Sequence, residues 1–403
     1  MLSSNARALR VARIITRLNV GGPTRQAIDL TRRFARPPGS AILVAGRVGR
    51  DDGDRTDEAA PLGASFLLIE GLGRGRGPVA LVRAAAALSR SIRAFRPHVV
   101  HTHESRAGFL GRRAARAARV PVIVHTHHGH VLRRYFGPVR STAFLLAERW
   151  LAGFSDALVV PAPEIADELA ALGVAPRSKF VVVAPGLDVE GLLAGPIAPD
   201  PAARERLSLP ATRPVVAFAG RLVPIKDPLL FVAAARRIAA AVPDALFVVA
   251  GDGPLRGPAE SAAAVAAPGR FRFVGFLGDA AGDFLAAADL VVLSSRHEGL
   301  PAVLVEAMAC GAAVVATRVG GVPGLVEDGV TGRLVPAGDA EALAAAAIGL
   351  LRDGAFRASI GAAAREAIRE RRFSPERMAR ELSLLYERLL GAKGIDASAE
   401  RPA

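Results

Sequence analysis

The sequence predicts a two-lobed α/β protein in which each lobe is a parallel sheet covered by helices. Three observations carry this. Short β-branched runs alternate with Ala/Leu/Arg-rich helical stretches, the pattern of strands joined by helical crossovers. The alternation breaks once, across 191–214, where Pro196, Pro199, Pro201, Pro210 and Pro214 mark a linker, and then it restarts. At 403 residues the chain also exceeds what one core ordinarily organises.

In the first half, strands are expected at 11–16, 41–45, 65–69, 98–101, 122–125 and 157–160, with a short closing strand at 180–183. Helices are expected at 24–35, 78–95, 106–118, 139–152 and 163–172. In the second half, strands fall at 215–219, 245–250, 272–274, 290–293 and 313–316. Helices at 227–241, 279–287 and 301–309 lie between them, and helices at 341–352, 355–369 and 375–390 end the fold. The lobes are expected at 1–195 and 205–374, with a flexible tail over 391–403. Such sheets bind ligands beyond the carboxyl ends of their strands, so the informative loops are those directly after strands.

Composition narrows the classes. Hydrophobic residues at 51% and charged residues at 22% exclude a mostly disordered chain. Cys310 is the single cysteine, which fits a reducing compartment and removes a cysteine-based metal site. No apolar run approaches the ~18 residues needed to cross a bilayer. Arg7, Arg10 and Arg13 precede no apolar stretch of signal-peptide type, so a cytoplasmic protein is expected. The formal charge of +14 invites a nucleic-acid reading. Lysine occurs only at Lys179, Lys226 and Lys393, however, and the chain is rich in Ala, Gly and Pro, as GC-rich coding produces. Arginine reads as spread along the chain and solvated, so no nucleic-acid partner is expected. Arg112, Arg113, Arg116 and Arg119 fall near one helix face. They could favour an anionic membrane surface at the inner face of the plasma membrane, or a phosphorylated acceptor.

Five loops carry candidate chemistry. Gly21 and Gly22 follow the first strand and open a helix, where paired glycines and free N–H groups suit a phosphate; a plain tight turn fits equally. The run His125-Thr126-His127-His128-Gly129-His130 ends a strand, with His101 and His103 after the preceding one. Adjacent histidines on extended chain diverge and no carboxylate is spaced to complete a shell, so a metal is disfavoured and a hydrogen-bonding or acid–base imidazole preferred. Gly220, Arg221 and Lys226 follow the first strand of the second half, and two cations on one loop could clamp a diphosphate. Gly251, and Phe276 with Leu277, sit in glycine turns at strand ends. The strongest signal is 294–311. There Gly299 permits a sharp turn, Pro301 suits a first helical turn, Glu298 lies on the loop and Glu306 lies inside an apolar helix. A Glu306 buried there would need a polar partner, and a carboxylate accepting two vicinal hydroxyls reads ribose well.

With these motifs the chain resembles the family-4 retaining glycosyltransferases of the GT-B fold, two Rossmann-like parallel-sheet lobes facing a cleft. The resemblance is most specific in 298–310, where the two glutamates stand in a Glu-Gly-Leu-Pro…Glu-Ala-Met-Ala-Cys-Gly pattern. It implies an N-terminal acceptor lobe rejoined by helix 375–390 and a C-terminal nucleotide-sugar lobe. Arg221 and Lys226 would bind the diphosphate, helped by Gly21 and Gly22. Glu306 would bind ribose, and the backbone near Phe276 and Leu277 would meet the base. Glu298 and the N–H groups of Gly299 and Leu300 would hold the donor sugar. The family histidine maps onto His128, with His127 the neighbouring alternative. The segment 184–188 reads Ala-Pro-Gly-Leu-Asp where the family commonly has Pro-Asn-Gly-Val-Asp, which puts a hinge-region hydrogen bond in question.

The implied reaction is retaining transfer of a hexose-type sugar from a UDP- or GDP-linked donor to a glycan or lipid-linked hydroxyl, in bacterial envelope or exopolysaccharide synthesis. Neither metal nor cofactor is expected. The rivals are a nucleotide-sugar epimerase or hydrolase of the same fold, a noncatalytic sugar-nucleotide sensor, and a basic nucleic-acid-binding protein.

Overall fold

The computed structural model describes residues 9–37, 39–49, 53–73, 77–129, 132 and 137–396; Arg7, His130 and residues 397–403 of the expected tail lie outside them. The chain divides into two units, Met1–Leu187 with Ser374–Ala403, and Asp188–Phe373.

The first unit is built on β1 (Arg10–Arg17), β2 (Ser40–Gly46), β3 (Phe66–Leu68), β4 (Val99–His103), β5 (Val122–Thr126), β6 (Ala157–Val160) and β7 (Phe180–Val182). These pair in parallel in the order β3-β2-β1-β4-β5-β6-β7. The inner strands are buried on both faces: β6 is an unbroken apolar run, whereas β4 and β5 start apolar and end in buried histidine and threonine. Alternate residues of β1 go to opposite faces. Val11 packs under Leu30, Phe34, Leu382 and Tyr386, while Ala12 and Ile14 pack under Leu88, Ile92 and Leu110. The helix Pro375–Gly391 thus contributes Met378, Leu382, Leu385 and Tyr386 to the first unit's core. Ser374 caps it by accepting from Arg377 N.

The second unit has β8 (Val215–Ala219), β9 (Leu246–Ala250), β10 (Phe271–Gly275), β11 (Leu290–Leu293), β12 (Ala313–Thr317) and β13 (Arg333–Val335). They are parallel in the order β10-β9-β8-β11-β12-β13. The helix Pro228–Ala241 starts on Pro228 with Asp227 as its cap, and its Phe231 packs with Phe218 and Phe247. In both sheets the chain winds outward from the first strand and returns beside it. The switch points fall between β1 and β4 and between β8 and β11. Crevices at such points are where open parallel sheets take ligands.

Two expectations change. Residues 191–214 are not a free linker: helices Glu190–Ala194 and Pro201–Arg206 form there. Arg365 donates to the carbonyls of Leu193, Gly195 and Pro196 at 2.5, 2.7 and 3.2 Å, and Arg204 pairs with Asp289 at 2.5 Å. Arginine forks satisfy the carbonyls that a Pro/Gly-rich segment leaves unpaired, so the division falls after Leu187. The expected tail is also anchored at its start. Lys393 Nζ donates to Pro121 O and pairs with Asp156, both at 2.6 Å, and Ile395 packs on the first unit's core.

Candidate active-site residues

In the second unit the loops after β8 and β11 meet at the switch point. Lys226 Nζ donates to Glu298 Oε1 at 2.6 Å, and Ser295 Oγ donates to the same oxygen at 2.5 Å. Lys226 is part-exposed while Glu298 is nearly buried. Asp227 ties the two loops together. Its carboxylate accepts from Leu230 N at 3.3 Å and from Arg296 Nε at 2.7 Å, and its carbonyl accepts from Ser294 Oγ at 2.9 Å. Thr317 Oγ1 donates to Ser295 O at 2.6 Å, fixing the loop from the β12 side. The backbone N–H groups of Gly299 and Leu300 donate to no group among the described residues. They precede the helix Ala302–Ala309, whose first turn favours negative charge. Arg221 is part-exposed and has no side-chain hydrogen bond or ion pair among the described residues.

Glu306 is half-buried, not buried, because Val305, Ala307 and Met308 take the core-facing positions of its helix. The sequence argument from burial therefore fails for it. Burial pushes the neighbouring Cys310 thiol up to about 12, with Glu306 adding to the shift, so this cysteine is no nucleophile. Gly251 has a structural reason to be glycine. At φ +127 its Cβ would stand 1.9 Å from Gly220 O, and its N–H already donates to Gly275 O at 2.7 Å. Phe276 is 40% exposed beside Leu277 in a turn where Gly275 and Gly278 are left-handed.

In the first unit Gly21 takes φ 156, ψ 162, a region open essentially to glycine alone, and begins the helix Gly22–Phe34 with no side-chain cap. Thr24 is buried in that first turn, and its hydroxyl has no hydrogen-bond partner among the described residues.

The histidines split between the two faces of the sheet, as expected of neighbours on extended chain. On one face Arg13, 1% exposed, reaches His101 Nδ1 and His103 Nε2 through Nη1, each at 3.4 Å. Tyr386 OH bonds His101 Nδ1, and His101 Nε2 meets Thr126 Oγ1 at 2.6 Å. His103 Nδ1 lies 3.0 Å from His128 Nε2, and these rings stack. Arginine can only donate, so His103 Nε2 accepts, its Nδ1–H donates to His128 Nε2, and His128 carries its proton on Nδ1. Burial, with Arg13 and the other histidines alongside, holds His101 and His103 well below the usual imidazole range. Burial also lowers half-buried His128 to about 4, so all three are neutral near pH 7.

On the other face His125 accepts or donates with Thr102 Oγ1 at 2.8 Å and meets His127 edge-on. Glu148 brings a carboxylate oxygen within 4.8 Å of both rings, a partner that local spacing did not reveal. Arg112 Nη2 engages both Glu148 oxygens at 2.9 and 2.8 Å, however. A buried guanidinium on the only carboxylate leaves this donor set poorly fitted to a cation.

Residues 213–353 match the family model for glycosyl transferases group 1, and 21–186 match the glycosyl transferase 4-like domain. A D-inositol 3-phosphate glycosyltransferase of Mycobacterium avium (strain 104) is 34% identical over 304 residues, covering 70% of this chain and 69% of that one. This chain belongs to the group 1 glycosyl transferases. The like-named protein of Mycobacterium sp. (strain KMS) is 34% identical over 291 residues and 67% of this chain, which spans 63% of that relative's length. Two solved structures match this group 1 glycosyl transferase in fold. Anabaena Alr3699/HepE, in complex with UDP and glucose, gives a TM-score of 0.78 at 21% identity, over 94% of this chain and 100% of that one. Sucrose-phosphate synthase of Thermosynechococcus elongatus gives 0.77 at 22%, over 95% and 100%. The fold is GT-B.

In this group 1 glycosyl transferase the structure brings Lys226, Glu298, Gly299 and Leu300 to one switch point, and His128 to the other. Sequence reasoning missed Ser295, Arg13, Tyr386 and Glu148. Tyr386 is 285 residues from His101, a separation that leaves no local signal.

Proposed function

We propose that this chain is a retaining glycosyltransferase moving a hexose-type sugar from a UDP- or GDP-linked donor to an acceptor hydroxyl. The observation that carries this is the Lys226–Glu298 pair at the second switch point, beside the unengaged N–H groups of Gly299 and Leu300. A donor diphosphate would draw Lys226 from Glu298 and take the two N–H groups, with Arg221 the second cation. Glu298, released from the ammonium, would accept hydroxyls of the donor sugar. Glu306 would hold ribose, and Phe276 and Leu277 would border the base.

The anomeric carbon–oxygen bond to the diphosphate breaks as the acceptor oxygen attacks from the same face. The acceptor proton passes to the departing phosphate oxygen. Arg221 and Lys226 neutralise the charge that develops there, so no metal is invoked. His128, neutral and carrying its proton on Nδ1, suits hydrogen bonding to the sugar better than His127, which is buried against His125. The UDP and glucose bound to the structurally similar HepE support a nucleotide-sugar donor. We place the chain in bacterial envelope or exopolysaccharide synthesis, in the cytoplasm and peripheral to the plasma membrane, with a glycan or lipid-linked acceptor.

The test is a thermal-shift panel of nucleotide sugars, followed by turnover with the winning donor and a set of acceptors. Arg221→Ala with Lys226→Ala should abolish turnover, and unchanged activity would remove the leaving-group role. Turnover without any acceptor would identify a hydrolase or epimerase instead.

A further inference from the structure

The chain's charge is not spread evenly, contrary to the expectation from composition. Residues 71–155 hold fifteen arginines, no lysine and two acids, Glu104 and Glu148, so this stretch alone carries +13 of the formal +14. Its three helices, Pro78–Phe95, Ser105–Ala117 and Pro138–Gly153, lie side by side on one face of the first sheet. Among the described residues nine of these arginines are exposed, whereas Glu148 is buried on Arg112 and Glu104 is part-buried. The outer surface of this layer is therefore cationic, and among the described residues no exposed acid of the stretch offsets it.

The same surface is apolar in a helical pattern. Val139, Ala143, Leu146 and Trp150 recur at intervals of four, three and four, one stripe along Pro138–Gly153. All four are exposed: Val139 at 82%, Leu146 at 56% and Trp150 at 51%, with Ala143 beside them. Val79 and Val82 are exposed on the helix Pro78–Phe95, at the other side of Ser105–Ala117. Arginines lie against aromatic rings here. The Arg113 guanidinium is 5.3 Å from the Phe109 ring and 5.9 Å from the Trp150 ring, and Arg116 is 4.6 Å from that of Phe154.

We propose that this three-helix face docks on an anionic lipid bilayer. The stripe would enter the headgroup–acyl boundary while the arginines, stems along apolar surface and guanidinia outward, meet lipid phosphates. An amphipathic ring such as Trp150 settles at that depth. No helix among the described residues is long and apolar enough to cross a membrane, so the contact is interfacial. A nucleic-acid strand would match the charge but not the aliphatic stripe of Val139 and Leu146. The proposal gives the peripheral reading its surface and is independent of the transfer chemistry.

Trp150 is the chain's single tryptophan, so its emission reports on this face alone. The full chain is titrated with vesicles of phosphatidylcholine, and of phosphatidylcholine with phosphatidylglycerol, without donor or acceptor. The expected result is a blue shift, and quenching by brominated acyl chains, only with the anionic vesicles. Arg113→Gln with Arg116→Gln should weaken binding about 25-fold, about fivefold per arginine. Leu146→Gln should reduce the blue shift, and both variants should keep the parent's melting temperature and its turnover on a soluble acceptor. Equal binding to neutral vesicles, or unchanged binding by the double variant, overturns the proposal. So does displacement of the vesicles by an RNA oligonucleotide that binds more tightly. Loss of vesicle binding with turnover intact separates this failure from failure of the transferase reading.

Discussion

Acidification should loosen the first unit and spare the second. His101, His103 and His125 are buried, and burial holds each well below 6.5 in the folded protein. The unfolded chain therefore takes up these protons first. Stability is complete above the unfolded value and falls as pH drops below it toward the folded values. As pH falls from about 7.5 to 5.5 each histidine removes on the order of 1 kcal/mol, so the three together remove a few kcal/mol. That is a large share of the roughly 5–15 kcal/mol that holds an ordinary domain. The described part of the second unit contains only His297, which makes it an internal control. Hydrogen exchange, corrected for the intrinsic pH dependence of exchange rates, should show β4 and β5 losing protection near pH 5.5 while β8 and β9 keep theirs. Equal protection of β4 and β5 at the two pH values would refute the reasoning.

Arg112→Met strands the buried Glu148 carboxylate and should cost about 3–5 kcal/mol in urea unfolding, while adding Glu148→Leu should recover most of the loss. Gly251→Ala drives a Cβ into Gly220 O at a positive φ and should cost about 2–4 kcal/mol, read as a lower urea midpoint. Gly349→Ala is its control. It lies inside the helix Ala340–Arg352 with nothing within 4 Å of a new Cβ, and should be neutral or stabilising by up to about 1 kcal/mol. Arg13→Met releases His103 from its enforced acceptor role, so nitrogen NMR should find His128 as a mixture of tautomers. Arg13→Lys should keep one form.

The alternation of strands and helices was legible because parallel strands buried on both faces leave unbroken apolar runs, as Leu290–Leu293 does in β11. The donor-side loops were legible for a related reason: glycine, proline and charge cluster where a strand hands over to a helix, as at 220–227 and 294–301. What stayed hidden was long-range. Nothing near Glu148 announces Arg112, and nothing near Tyr386 announces His101; only the sheet brings them together. Burial of Glu306 was misjudged because apolar neighbours do not say which side of a short helix faces the core. The segment 191–214 was misjudged because its partner, Arg365, lies far along the chain.

The return of the helix Pro375–Gly391 to the first unit has a consequence for biosynthesis. The second unit is an insertion between Leu187 and Ser374, and it is complete before the first unit's final helix leaves the ribosome. Until then Val11, Val99, Val122 and Val124 lack the cover of Leu382, Leu385 and Tyr386. A nascent chain stalled before Ser374 would carry a finished second unit and a sticky, half-roofed first one, a natural client for chaperones.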